Sequence, residues 1–357
     1  MIYALIMAGG SGTRFWPESR KNRPKQLLNI AGPKSMIRFT VERILPEIPF
    51  ERIMVITGAS HVDEIRSELP ELSPEMIVAE PWGRNTAACI ALAAFKLQKA
   101  DPDAVMVVLP ADHTIGKEAA FLAALRRGAE ALSRGEYLLT FGVVPSRPET
   151  GYGYIRLGKV AFSVGPDKVH QVDAFVEKPD LETAHQYVAS GDYLWNSGMF
   201  VWKVSDIARA IDRHLPRLST AIKSIASALN TPEETEALRR VYQSLESISI
   251  DYGVMERADN VVCIPIDVDW NDVGSWAAVV DLWPSDKTGN VTRGQTLFVD
   301  SKNCVVSSNH RLATLIGVED LIVVDTPDAL MICHKDRAQD VRRLQEILAE
   351  QGYEDLL

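Results

Sequence analysis

A chain of 357 residues can bury a large core, and one large domain with a smaller one is the natural division at that length. With 46% hydrophobic and 24% charged residues, the composition is that of an ordinary globular protein. The net charge of −10 argues against coating nucleic acid or docking on an anionic membrane, so neither is expected as a partner.

The first apolar run, residues 2–8, suits a buried strand and empties into Ala8-Gly9-Gly10-Ser11-Gly12-Thr13-Arg14-Phe15-Trp16-Pro17. Glycines let backbone N–H groups approach phosphate oxygens, and a concave turn of this kind is an anion site. Arg14 and Lys25 (in Arg23-Pro24-Lys25-Gln26) add positive charge within reach, and Arg20, Lys21 and Arg23 concentrate more of it in an otherwise acidic chain. The turn is not a Walker A loop, because Gly12 is followed by Thr13 and Arg14. It is not a dinucleotide fingerprint, because Phe15 stands where the third glycine belongs and no acid follows about twenty residues on. A nicotinamide-dependent oxidoreductase is disfavoured accordingly.

Helical periodicity covers residues 36–45, and apolar strands are expected at 53–58 and 76–79. Asn85 or Thr86 is expected to cap an alanine-rich helix over 87–99. Residues 104–110 form another wholly apolar strand. Such strands, separated by helices, imply a mostly parallel sheet covered on both faces, with ligands at its carboxyl edge. Beyond Tyr137, strands at 137–144, 153–157 and 169–176 with few helices between them suggest a mixed, partly antiparallel region for a second substrate. Polar helices are expected near 205–214 and 232–245. From Gly294, short apolar runs separated by turns suggest a small β domain closed by a helix over 337–348. The expected division is 1–285 for catalysis and 286–357 for the β domain.

Cys89, Cys263, Cys304 and Cys333 are far apart and form no Cys-x-x-Cys pair, so they read as free thiols of a reducing compartment. The N-terminus reads as a core strand rather than a signal peptide, and no apolar stretch reaches the length of a membrane span. A cytoplasmic location is expected.

The acidic chemistry lies in two places. Asp112 follows the strand 104–110 and is placed to hold Mg²⁺, which takes a few carboxylates together with phosphate oxygens and water. His113 is expected to be structural or a donor rather than a ligand. Asp267-Val268-Asp269-Trp270-Asn271-Asp272-Val273-Gly274 follows the strand 261–266, and spacing leaves Asp267, Asp269 and Asp272 all open as ligands. Between these motifs lie three sugar-facing candidates. Gly151-Tyr152-Gly153 lets the backbone pass close to a ligand; Glu177-Lys178 offers a carboxylate to hydroxyls and an ammonium to a phosphate; Asn196-Ser197-Gly198 offers an amide. The segment Glu80-Pro81-Trp82-Gly83-Arg84-Asn85-Thr86 is assigned to a purine, with Glu80 a candidate acceptor for the N1–H and N2–H₂ donors of guanine.

The glycine loop with Pro24-Lys25-Gln26 resembles the signature of the sugar-1-phosphate nucleotidylyltransferases, and the form with Trp16-Pro17 is similar to that of the mannose-1-phosphate guanylyltransferases. The order of the sugar-facing segments resembles the sugar pocket of the same family. The resemblance implies an α/β, Rossmann-like domain with a mixed, mostly parallel sheet and a small C-terminal β domain built as a short left-handed β-helix. It implies Arg14 and Lys25 as catalytic residues, and Mg²⁺ on Asp112 and Asp272. It implies nucleotide binding by Ala8, Gly9, Gly10, Ser11, Gly12, Thr13, Arg14, Glu80, Gly83, Asn85, Thr86 and Asp112. Sugar binding falls to Gly153, Glu177, Lys178, Asn196 and Gly198. GTP and mannose 1-phosphate are the implied substrates, and a homodimer through the β domain the implied assembly. A sugar 1-phosphate is mostly ionised near neutral pH, its second pKa being about 6, so its attack on the α-phosphorus needs no general base. Another nucleotide or glucose 1-phosphate, or a silent sugar-nucleotide-binding subunit, are the alternatives. Some similar proteins carry a fused isomerase domain; this chain ends soon after its last helix, so no isomerase activity is expected.

Overall fold

The computed structural model describes residues 1–10, 12–229 and 231–357. In chain order its first elements are β1 (Ile2–Ala8), α1 (Met36–Ile44), β2 (Ile53–Gly58), α2 (Val62–Glu68), β3 (Ile77–Glu80), α3 (Asn85–Ala100), β4 (Val105–Pro110) and the short β5 (Thr114–Ile115). There follow α4 (Glu118–Ala131), β6 (Leu138–Val143), β7 (Gly153–Val164), β8 (Asp167–Glu177), α5 (Leu181–Ser190), β9 (Tyr193–Lys203), α6 (Val204–His214), α7 (Pro216–Lys223), α8 (Glu234–Ser244), β10 (Val261–Ile266) and the short β11 (Trp270–Asn271). The last elements are β12 (Val291–Val299), β13 (Val305–Ile316), β14 (Leu321–Asp325), β15 (Leu330–His334) and α9 (Val341–Glu350). The chain falls into two compact units. One comprises Met1–Gly9, Val41–Ala111 and Ile115–Trp270; the other comprises Gly10–Thr40, Asp112–Thr114 and Asn271–Leu357.

The first unit is built on a nine-stranded sheet of order β3-β2-β1-β4-β9-β6-β10-β8-β7. β1 lies parallel between β2 and β4, with Ala4 opposite both Ile53 and Val107. The wholly apolar sequences of these strands follow from burial on both faces. β9 runs antiparallel between β4 and β6, Val201 standing opposite Val107 on one side and Leu139 on the other. It carries Asn196 and Gly198, whose Asn-Ser-Gly sequence on its own reads as a turn. The hairpin β7–β8 closes one edge, and β7 pairs with β9 through Tyr154 and Trp195. α3 is buried along its length from Ala87 to Ala94 because α6 and α7 pack over it. α7, which opens on Pro216, has no counterpart among the expected helices.

The second unit gathers the chain after the glycine loop around Phe15, Trp16, Leu28, Ile30, Val273 and Trp276. The Trp276 ring lies 5.1 Å from Phe15, and its Nε1 donates to the Trp16 carbonyl at 3.1 Å. Trp16 Nε1 in turn donates to the Leu356 carbonyl at 2.7 Å. Each fully buried large apolar side chain contributes about 1.5–3 kcal/mol, so this small core anchors Phe15 and Trp16. The four-stranded sheet here pairs β12, β13 and β14 in parallel and adds β15 antiparallel, a β-helix-like arrangement. The closing helix starts later than expected: Lys335–Asp340 is a tight 3₁₀ turn, and the α-helix proper is Val341–Glu350.

Candidate active site

The candidate site residues fall into three groups, one in the second unit and two in the first. The group in the second unit centres on Lys25. Gly12 sits at φ +60°, and a Cβ there would collide with the Lys25 backbone N and Cβ, so glycine is required for the loop to meet the lysine segment. Lys25 is only 6% exposed, yet its ammonium stands 2.9 Å from Asp112 Oδ2 and donates to the Asp272 carbonyl at 2.6 Å. Burial alone would raise the Asp112 carboxyl; the Lys25 ammonium and His113 override it and hold the group below its ordinary value. His113 Nε2 is 4.0 Å from Asp112 Oδ1, close enough to act on its charge but too far for a hydrogen bond. Gly10 and Thr13 flank the loop, Arg14 is exposed with its Nη1 3.4 Å from Gln339 Oε1, and Ser11 lies outside the described residues.

The structure brings Lys25, Asp112 and Asp272 together, three segments far apart in sequence. Asp267 and Asp269 are engaged elsewhere, both oriented on Lys117, at 2.9 and 3.1 Å. Among the described residues no cluster of three or more His, Cys, Asp or Glu side chains is poised for a metal.

The second group lies at the carboxyl ends of β1 and β3. The Ala8 carbonyl accepts from the Thr57 hydroxyl at 3.1 Å. Glu80 is 4% exposed; its Oε1 accepts from the Tyr242 hydroxyl at 3.0 Å, and its Oε2 faces Gly9, where an added Cβ would be 3.7 Å away. Burial pushes the Glu80 carboxyl up to about 7, against the lowering effect of the Tyr242 hydroxyl. Gly83 stands in open space. The expected cap is corrected: α3 starts at Asn85, and neither Asn85 nor Thr86 caps it, with no side chain bonding at the Arg84 N-cap. Asn85 sits at φ +63° and accepts from the Thr86 N–H, while the Thr86 hydroxyl accepts from Ile250 N at 2.8 Å. The Thr86 hydroxyl thus serves the Ile250 segment, and the Asn85 side chain serves the N–H next to it.

The third group joins the ends of β7 and β8 to β9. Gly153 stands opposite Glu177, and any Cβ there would strike Glu177 Oε1. Lys178 sits at φ +48° with its ammonium exposed and 3.4 Å from Glu177 Oε2. Asn196 Oδ1 accepts from Gly198 N at 3.2 Å, and its Nδ2 donates to Asp251 Oδ1 at 2.8 Å. Asp251 was not foreseen. It opens a π-helical turn, Asp251–Met255, where burial raises its carboxyl, Asn196 lowers it and Glu177 raises it again. The signal available in sequence was a lone acid inside the apolar stretch Ile248-Ser249-Ile250-Asp251-Tyr252-Gly253-Val254-Met255. Tyr152, Trp195 and Trp270 form an aromatic wall nearby, the Tyr152 ring 5.2 Å from each tryptophan.

Residues 3–288 match the family model of nucleotidyl transferases, and residues 294–348 match that of the MannoseP isomerase/GMP-like beta-helix domain. The alginate biosynthesis protein AlgA of Pseudomonas aeruginosa is 39% identical over 351 residues, spanning 98% of this chain and 72% of that protein. A mannose-1-phosphate guanylyltransferase of Escherichia coli is 38% identical over 353 residues, spanning 98% of this chain and 74% of that protein. A crystal structure from Thermus thermophilus, described as a mannose-1-phosphate geranyltransferase, superposes with a TM-score of 0.88 at 34% identity, covering 98% of this chain and 99% of that one.

Proposed function

The chain belongs to the nucleotidyl transferase family, and on that premise we propose that it transfers GMP from GTP to α-D-mannose 1-phosphate, yielding GDP-mannose and pyrophosphate. The observation that carries the phosphoryl chemistry is the buried Lys25 ammonium beside Asp112 and the Asp272 carbonyl. The choice of GTP and mannose 1-phosphate rests on the similarity to the E. coli guanylyltransferase and on Glu80 as an acceptor for guanine.

An oxygen of the sugar phosphate forms a bond to the α-phosphorus of GTP, and the bond from that phosphorus to the bridging oxygen breaks, releasing pyrophosphate. Two anions must meet, so positioning and charge neutralisation carry the rate. Lys25 neutralises charge on the transferring phosphate, and the exposed Arg14 guanidinium neutralises the leaving pyrophosphate. Gly9, Gly10, Gly12 and Thr13 offer backbone N–H groups to the triphosphate. Glu177 accepts from sugar hydroxyls, Lys178 meets the sugar phosphate, and Asn196, with one N–H committed to Asp251, keeps the other for the sugar.

Asp112 and Asp272 fit a magnesium ion. Their side-chain oxygens are hard donors, and Asp112 is held ionised, as a magnesium ligand must be. When bound, Mg²⁺ supplies further neutralisation of phosphate oxygens.

Catalysis is assigned to residues 1–285 and assembly to the β domain, residues 286–357, as a homodimer. Exposed Leu297, Val299, Leu312, Ile316, Leu330 and Ile332 on β12, β13 and β15 support that role. Free, buried Cys89, Cys263 and Cys304 support a cytoplasmic setting, and among the described residues no helix is long and apolar enough to cross a membrane.

The test is pyrophosphate release with Mg²⁺ over a grid of the four nucleoside triphosphates and mannose, glucose and galactose 1-phosphates. A clear maximum at GTP with mannose 1-phosphate is expected. A maximum elsewhere overturns the substrate assignment, and GTP binding without release in any combination overturns the enzyme reading in favour of a silent binding subunit.

A further inference from the structure

We propose that Tyr242, on α8, is the positioning residue that makes Glu80 a guanine reader, fixing one carboxylate oxygen so that the other faces the base. The inference rests on the reading of Glu80 as the guanine contact and adds a residue 162 positions away in sequence.

A carboxylate at a strand end rotates freely unless something holds it. Here the Tyr242 hydroxyl donates to Oε1 at 3.0 Å, and Oε2 is left on the side of Gly9, the residue that opens the phosphate loop. Tyr242 is itself held at both ends. Its ring is fully buried, and its carbonyl accepts from Arg84 Nε at 2.8 Å while the next carbonyl, of Gln243, accepts from Arg84 Nη2 at 3.1 Å. Arg84 belongs to the same loop as Glu80, and a guanidinium on the last carbonyls of a helix satisfies groups that have no partner within the helix. The loop Glu80–Thr86 is thus tied to α8 by one hydrogen bond from Tyr242 and two from Arg84, and to Ile250 through Thr86.

The protonation state follows the same geometry. Guanine presents donors at N1 and N2, so the carboxyl must be ionised to accept from both. Burial works against ionisation, and among the described residues the opposing influence is the Tyr242 hydroxyl. Among the described residues the titratable groups facing Glu80 are the Tyr242 phenol and the Cys89 thiol. Both are pushed well above their ordinary values, by burial first and the Glu80 charge second, so both stay neutral while Glu80 titrates. A purely structural role would leave nucleotide choice and its pH dependence unchanged.

The experiment compares wild type, Tyr242→Phe, Glu80→Gln and the double variant for kcat and for the KM of GTP and of mannose 1-phosphate, over about pH 6 to 9. Tyr242→Phe is expected to raise the KM for GTP about tenfold at pH 7, as loss of a hydrogen bond to a charged group does. Its kcat and its KM for the sugar phosphate should stay within about twofold, and the GTP defect should shrink as pH rises and Glu80 ionises without its donor. In the double variant the GTP defect should equal that of Glu80→Gln alone, because Tyr242 acts through Glu80. If Glu80→Gln weakens GTP and Tyr242→Phe does not, the Tyr242 inference is overturned while the Glu80 reading stands. If neither variant changes the KM for GTP, the Glu80 reading itself fails. Should Tyr242→Phe not fold with Glu80 buried and unpaired, the double variant removes that burden, and a GTP defect there larger than that of Glu80→Gln alone overturns the proposal.

Discussion

The phosphate group and the base group each take a carboxylate out of water, and they treat it in opposite ways. Asp112 has a cation 2.9 Å away, and Lys25 together with His113 holds it ionised against the cost of desolvation. Glu80 is deeply hidden, but its partner is the neutral Tyr242 hydroxyl, and its carboxyl rises to about 7. The first carboxylate keeps its charge near neutral pH, and the second keeps it only in part. The same functional group does two jobs because an ammonium stabilises an anion far more than a hydroxyl does.

The largest effect is expected at the cation. Lys25→Ala should lower kcat by about 10²–10³-fold, the scale of losing one preorganised charge contact in a transition state, with little change in the KM for mannose 1-phosphate. Steady-state kinetics showing near wild-type turnover would remove Lys25 from the chemistry and leave the two groups without their main difference. Gly12→Ala attacks the same group through the backbone. Its positive φ and the collision with Lys25 should cost about 1–3 kcal/mol of stability, read as a lowered urea midpoint.

At Glu80 the sign reverses. A carboxyl whose folded pKa lies above its unfolded value favours the folded state most when protonated, so wild-type stability should fall as pH rises from about 4.5 to about 7. Glu80→Gln removes that loss. It should stabilise the free protein by about 2 kcal/mol at pH 8 and by little at pH 5, measured by urea unfolding at both values. Equal midpoints at pH 8 would mean that the buried carboxyl is not the destabilised group described here. The smallest change is expected in the sugar group. Asp251→Asn weakens the hold on Asn196 and should raise the KM for mannose 1-phosphate about threefold to tenfold while leaving that for GTP unchanged. A change confined to GTP would place Asp251 in the wrong group.

Much of this was legible in the residues because it is local. The apolar strands β1, β4 and β10 follow from runs with no polar alternation, and Gly12 is required by a close approach that any Cβ would block. Lys25 and Asp112 could be named, each from its own segment. Local signals failed where a side chain had a better partner far away. Thr86 looked like a helix cap, but its hydroxyl serves Ile250 instead. The strand β9, which carries Asn196-Ser197-Gly198 between β4 and β6, had no counterpart among the expected strands.

The sequence by itself determined the apolar strands, the glycine loop and the identities of the charged groups, since each depends on neighbours a few residues away. Only the tertiary structure decided which groups meet. Lys25 reaches Asp112 and Asp272, Tyr242 reaches Glu80, and Asp251 reaches Asn196, because core burial and sheet order bring distant segments together. The protonation states followed from those meetings, since the pKa of a buried carboxylate is set by desolvation and by the partner the fold places beside it.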